Sequence, residues 1–401
     1  MGVSIEDEKS ATRASAVEDK SIDTPPTLTT ESIDSRDLDK AFVYLAGQNQ
    51  SHLDHNVDLK ALRRKIDWRI LPVMSACYGL QFLDKVLINY SGVMGIREEL
   101  HLVKNDFSNA SSVFYISYLI AMVPNGVIGF IILPKSPMTA KFLTDSEKVA
   151  LLNHIAVNQT GIENRHFKWS QLKEIVLDIQ IWLLVAMTVS VSCSSGVISS
   201  YSSIVIASLG YSAPKAALLT APSGFVTICS SLITGFGVRY SSNRWAWIAA
   251  FCIPGMIGGA LMSFTPHSNP AAIIIGTHLV YAIIPTLMLT FQWAMSNCVG
   301  QTKRVLASAF VSGAFAIGSI IGPQTFQDRD KPEYKPAKIA ILATQGGGAF
   351  FATLLFGYYY WANKKKDRVE AALGPRSATG EGRQEWGSKT DKENLSFRYV
   401  Y

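Results

Sequence analysis

Asp84 and Lys85 stand side by side inside an apolar run, residues 70–95, where an ionisable pair is hard to explain without a task. Such a run is long enough to cross a bilayer core of about 30 Å. Charged and polar groups at that depth are costly, so each is a functional candidate by default. Gln81, Asp84 and Lys85 fall within about one helical turn and face broadly one side; Asn89 and Tyr90 add hydrogen-bonding capacity. A buried carboxylate has its pKa raised by desolvation and can carry a proton, while a buried ammonium attracts an anion. The competing explanation is an ion pair that locks this helix to a neighbour, or a lysine reaching outward to the interface.

A second polar set, His278, Tyr281, Gln292, Trp293, Ser296 and Asn297, interrupts the apolar run 271–298. Gln292 and Asn297 suit solute contact or a bridge between helices; a lone His such as His278 more often packs or hydrogen-bonds than carries protons. The run 181–207 is rich in serine, from Ser190 to Ser203, and small hydroxyls favour close helix packing over binding. Ala314, Gly318 and Gly322 repeat at four-residue spacing, as do Gly255 and Gly259, which reads as close-packing faces. Pro124, Pro222, Pro254, Pro285 and Pro323 can break helices, a feature common around transporter binding sites.

Enzymatic signatures do not emerge. Gly346-Gly347-Gly348 lacks the Lys-Ser/Thr of a phosphate loop, the serines lack a His or Asp partner, and the five cysteines form no C-x-x-C pair. The sequence therefore predicts a non-enzyme with no cofactor and no metal.

Hydrophobic residues make up 48% of the chain and charged ones only 17%, against about 25% charged in ordinary soluble domains. The deficit sits in blocks, which predicts an all-α polytopic membrane bundle of about eight spans: 70–95, 111–133, 181–207, 216–237, 245–264, 271–298, 305–326 and 339–362. Residues 1–62 read as a disordered cytoplasmic tail, 63–133 as a two-helix membrane unit, 134–180 as a cytoplasmic loop, 181–363 as a six-helix unit and 364–401 as a second disordered cytoplasmic tail. Within the loop, Thr144 and Glu147 have capping-box spacing ahead of Val149, Leu151 and Leu152, so a short amphipathic helix is expected there. A glycosylation sequon at Asn158 would go unused in the cytoplasm. The net charge of +6 comes from cations at span ends, which orient a membrane protein and argue against a nucleic-acid partner. Arg63, Arg64, Lys65, Arg69, Lys135, Lys141, Arg239, Arg244, Lys303, Arg304 and Lys364–Lys366 all fall on the cytoplasmic side in this reading, which puts both termini inside; the cation-rich loop 327–338 is the exception.

Several ordered blocks carry a family resemblance. Arg64-Lys65-Ile66-Asp67-Trp68-Arg69-Ile70-Leu71-Pro72 leads to Leu80-Gln81-Phe82-Leu83-Asp84-Lys85 and Asn89-Tyr90; Asn105-Asp106-Phe107-Ser108-Asn109 follows. Pro137-Met138-Thr139-Ala140-Lys141-Phe142-Leu143, Gly300-Gln301-Thr302-Lys303-Arg304 and Ile320-Ile321-Gly322-Pro323-Gln324-Thr325-Phe326 complete the set. Together they resemble the fungal allantoate permease family, in the anion:cation symporter branch of the major facilitator superfamily. The resemblance implies a plasma-membrane importer of small carboxylates such as allantoate, ureidosuccinate or vitamin-like acids, coupled to protons. In such an importer the residues themselves make Asp84 the proton-coupling candidate, Lys85 the anion-attracting one, and Gln292 and Asn297 the solute contacts. The family has twelve helices, six on each side of the central loop. Here only two spans precede the loop, as though helices three to six were missing near Gly126 to Phe130. The loop signature Gly-Asp-Arg is absent too. A cavity open on one side favours a homo- or hetero-oligomer, and it motivates an alternative: a non-transporting homologue that acts as a sensor or partner subunit.

Overall fold

A computed structural model describes residues 44–45, 57–117, 120, 134, 136–156, 168–266, 268–330, 334–373 and 390–401, with the backbone alone at Asp84, Ala156, Asp328 and Leu373. Most of the expected N-terminal tail, the larger part of the expected second span, the sequon at Asn158 and residues 374–389 lie outside the described residues. Every regular element among the described residues is helical: α1 (Leu59–Val93), α2 (106–117), α3 (Asp145–Ala156), α4 (Trp169–Val176), α5 (Ile179–Ala207), α6 (Ala213–Leu219), α7 (Pro222–Tyr240), α8 (Arg244–Phe264), α9 (Pro270–Val280), α10 (Ile284–Asn297), α11 (Gln301–Gln324) and α12 (Lys335–Leu373), besides short 3₁₀ turns and the four-residue helix Ile96–Glu99. Seven helices or helix pairs among them are long and apolar enough to cross a membrane, α6–α7 and α9–α10 each counting as one. The described residues form a polytopic bundle of long apolar helices.

Local chemistry sets the helix ends. Asp58 accepts a hydrogen bond from the Lys60 amide at 2.8 Å to start α1, and Asp178 and Asn269 do the same for α5 and α9. Gly300, at φ +97, makes the turn between α10 and α11, where a side chain would be strained. Pro222 opens α7 after a kink at Thr220–Ala221, and Pro285 stands at the start of α10 just after a 3₁₀ turn at Tyr281–Ile283. Each proline lacks the N–H that would continue the preceding helix.

Packing follows the small residues. Helix α5 is buried along most of its length and lies against α1, α11 and α12. A Cβ at Gly318 of α11 would stand 2.6 Å from the Val189 carbonyl oxygen, and one at Gly196 of α5 2.8 Å from that of Ser319. On the other side, Gly259 of α8 meets the Leu342 backbone of α12, and Gly276 of α9 meets Gly258 of α8. The serines of α5 satisfy themselves in part by bonding back one turn, as Ser190 does to Ala186 and Ser199 to Ser195. Ser194 crosses to Thr344 of α12 at 2.6 Å.

The central-loop helix α3 forms as its capping residues predict: the Thr144 amide donates to Glu147 and the Glu147 amide to Thr144. Glu147 also takes two bonds from Lys65 at the foot of α1, at 2.7 and 2.9 Å. Those bonds, the Lys65 one first, hold its carboxyl below the usual range. Leu62, Ala140 and Leu143 pack beneath it. The second disordered tail, expected from Lys364 onward, does not hold among the described residues. Helix α12 continues to Leu373, and residues 390–401 fold back onto the bundle, where Phe397 and Tyr399 join its core. The tail is held by hydrogen bonds and charge as well as by aromatic packing, and the short alternation of Phe397, Tyr399 and Tyr401 is its apolar signal in the sequence.

The seam between α5 and α11 leaves no room for a branched side chain. Gly318→Val is expected to cost about 1–3 kcal/mol by overpacking, read as a lower unfolding temperature of the purified protein in detergent. Gly313→Val, where an added Cβ meets nothing within 4 Å, should leave it unchanged.

Candidate functional site

Five helices surround a cavity of about 570 Å³ halfway along the bundle, partly open to its surroundings. Helix α1 contributes Gln81, Lys85 and Tyr90; α5 contributes Ser195 and Ser199; the kink before α7 brings Thr220 and Ser223; the 3₁₀ turn brings Tyr281; α11 brings Phe315. Both helix breaks thus open onto one space, as broken helices do around transported solutes.

Lys85 is the charged centre of the site. It is buried, and its Nζ lies 5.2 Å from the centre of the Phe315 ring and 5.6 Å from that of Tyr115. The two ring faces favour the cation, but no carboxylate among the described residues pairs with it. Around it stand hydroxyls: Thr220 donates to the Tyr90 hydroxyl at 3.3 Å, and Ser202 and the Tyr281 hydroxyl share a bond of 2.9 Å. The remaining wall is apolar, with Phe82, Leu287, Met288 and Phe291. A space with one buried cation, several hydroxyls and an apolar wall suits a small organic anion.

The structure brings together Gln81, Lys85, Tyr90 and Tyr281 of the residues singled out by sequence. Asp84 lies on α1 between the first two, with its side chain outside the description. Asn89 is fully buried but turned to α5, where its amide donates to Ser202 and Ser203 at 2.9 and 3.0 Å and accepts from the Ser203 amide. It clamps two helices. His278 sits off the cavity, with Nδ1 buried and unbonded. Gln292 is exposed on the flank of α10. Asn297 is buried and bonded in both directions to Val400 of the returning tail. The last three therefore line other surfaces.

Sequence reasoning passed over Thr220, Ser223, Thr227 and Phe315. The first three recur at three- and four-residue spacing, which puts them on one helix face, and that signal was available. Phe315 carried none.

A second polar cluster lies at the end of the bundle. Glu174, Asp178 and Asp391 bring carboxylate oxygens close enough to hold a metal ion, but the fully buried Lys303 ammonium occupies the space. It lies 2.7 Å from Glu174, 2.6 Å from Asp178 and 2.7 Å from Asp391. Burial pushes the Asp178 carboxyl up, yet Lys303 outweighs that and holds it below its ordinary range. Lys303 is thus structural, in addition to being one of the end-of-span cations.

A bundle of apolar, membrane-length helices with a cavity at its broken helices is the arrangement in which transporters hold solutes. Comparisons place it further. The chain is 26% identical to the thiamine pathway transporter THI73 of Saccharomyces cerevisiae over 86% of this chain and 87% of that protein. It is 27% identical to the allantoate permease of the same yeast, over 82% of this chain and 61% of that protein. It is also 25% identical to the MFS-type transporter cnsL of Penicillium expansum, over 85% and 88%. These relatives support an allantoate permease-like family within the major facilitator superfamily. No family profile and no solved structure matches the chain. The alignment with THI73 runs over 472 positions while using 86% of these 401 residues, so more than a hundred of its positions have no residue here.

Neighbouring Asn89 and Tyr90 have separable roles, one clamping helices and one lining the cavity. Asn89→Ala leaves buried hydroxyls and an amide without their partner, at about 1–3 kcal/mol. It should lower the unfolding temperature, whereas Tyr90→Phe should leave that temperature within a degree or so of the parent.

Proposed function

We propose that this chain moves a small organic anion of the carboxylate class across a membrane, coupled to protons. The buried ammonium of Lys85, facing a 570 Å³ cavity with no carboxylate paired to it among the described residues, is the observation that carries the reading. A bound carboxylate supplies a counter-charge, and a charge-assisted bond to a buried ammonium is among the stronger polar contacts. Gln81 and Tyr90 are the polar contacts beside it. Asp84, one residue away, carries the coupling proton. The similarity to a yeast allantoate permease supports a carboxylate cargo. The end bearing Arg239, Arg244 and Lys364–Lys366 faces the cytoplasm by the cation rule, and the plasma membrane is the site.

A second reading rests on the more than one hundred alignment positions without residues here, a length that fits four spans of about 20 residues with their loops. Helix α1 also turns Leu80 and Leu83 outward at 72% and 60% exposure, a flank that a full N-terminal half could cover. On that reading helices three to six are absent, and the chain binds a solute or partner without flux.

Uptake of labelled carboxylates into proteoliposomes separates the two. The transport reading predicts saturable flux driven by an inward proton gradient, and a KM about tenfold or more higher in Lys85→Met, since each tenfold is about 1.4 kcal/mol. Asp84→Asn should abolish the gradient dependence. Saturable binding with no flux would favour the sensor or partner subunit.

A further inference from the structure

The last twelve residues, 390–401, occupy a groove at one end of the bundle and touch five of its helices. Asp391 reaches Lys303 of α11 and, through Gln180 (3.0 Å), the start of α5. Lys366 of α12 donates to the carbonyls of Asp391, Asn394 and Phe397, at 2.5, 3.0 and 3.0 Å. Asn363 of α12 pairs in both directions with the backbone of Tyr399, and Asn297 of α10 does so with that of Val400. The Trp293 indole also donates to Val400, and the Arg244 amide at the start of α8 donates to the Tyr401 carbonyl. Tyr399 stacks on Tyr359 with ring centres 4.9 Å apart. Two asparagines that each pair with the N–H and C=O of one residue fix the register of the segment, much as an added strand is held.

The groove keeps its charges in order without the tail. Lys303 retains Asp178 and Glu174 as partners, so no isolated buried cation is left behind. Lys366 lies near the end of α12, where water can replace the lost carbonyls. The docked and released states therefore differ by the ion pairs of Asp391, Lys392 and Arg398 with Lys303, Asp178, Asp367 and Glu370, by a set of exchangeable hydrogen bonds, and by the packing of Phe397 and Tyr399, all non-covalent contacts that a two-state latch can make and break.

We propose that residues 390–401 are a displaceable latch that holds the ends of α5, α8, α10, α11 and α12 together, and that its release opens this end of the six-helix unit. Cys298 reports on it. Its thiol is fully buried in the same cluster of side chains as Phe397 and Tyr399.

The test is the rate of Cys298 alkylation by N-ethylmaleimide in the full chain with Cys77, Cys193, Cys229 and Cys252 replaced by Ser. A protease site placed within 374–389 allows the latch to be cut free after folding, so no truncated chain needs to fold. Cutting and dilution should raise the rate by at least about tenfold, because a thiol inert in an apolar core reacts once exposed. Adding back a synthetic 390–401 peptide should restore the slow rate, and a peptide with Asp391→Asn should do so less well. An unchanged rate after cutting, or a raised rate that the peptide fails to reverse, would overturn the latch. Neither result depends on whether the chain transports.

Discussion

The close approach of α5 to α11 is the constraint on which the remaining structure depends. A membrane interior gives helices no hydrophobic reason to associate, so contact must come from dispersion and hydrogen bonds at short range. Gly196, Gly318 and Gly322 make that contact by removing side chains at the seam. Once α5 is held there, its serines fall within reach of α12 through Ser194 and of α1 through the bonds of Ser202 and Ser203 to Asn89. Helix α1 then sets Lys85 against Phe315 and Tyr115. The position of the buried Lys85 cation in the cavity follows from a packing seam between α5, on which its own helix packs, and α11, which supplies Phe315.

Charge is managed in two ways along the same axis. At the end of the bundle, Lys303 is surrounded by carboxylates from α4, the start of α5 and the tail; it is a closed cluster with nothing left to bind. In the middle, Lys85 is given aromatic faces and hydroxyls but no acid among the described residues. The contrast separates a structural cation from a receptive one, since a buried charge without its partner is costly. Proline-bearing breaks at Thr220–Ala221 and Tyr281–Ile283 add polar groups to the receptive site alone.

Much of this was legible in the chain. Apolar block length gave the spans, and four-residue glycine spacing gave the seams at Gly318 and Gly259. The Thr144–Glu147 pair gave the loop helix. Lys85 was legible because an ion at membrane depth needs a reason. Asn89 and Asn297 misdirect sequence reasoning in the same way: an amide buried among backbone partners has the same signature as one facing solute, and only three-dimensional neighbours tell them apart. The tail was hard to read because many of its contacts are peptide groups read by Asn297, Asn363 and Lys366, which leave no pattern in its own residues, and the alternation of Phe397, Tyr399 and Tyr401 is too short to stand out beside the polar run before it. Lys303 looked like an orientation signal because its third acid, Asp391, is distant in sequence.

Ligand-dependent stability of the purified chain tests the central claim, that the Lys85 cavity receives an anion, most directly. Anything that binds the folded state alone stabilises it by RT ln(1 + [L]/Kd), about 2.7 kcal/mol at a hundred times Kd. Unfolding temperatures would be measured with a panel of small carboxylates and their uncharged amides. The account predicts a concentration-dependent rise with at least one carboxylate, none with its amide, and loss of the rise in Lys85→Met. An equal rise with acid and amide, or one that persists in Lys85→Met, would contradict it.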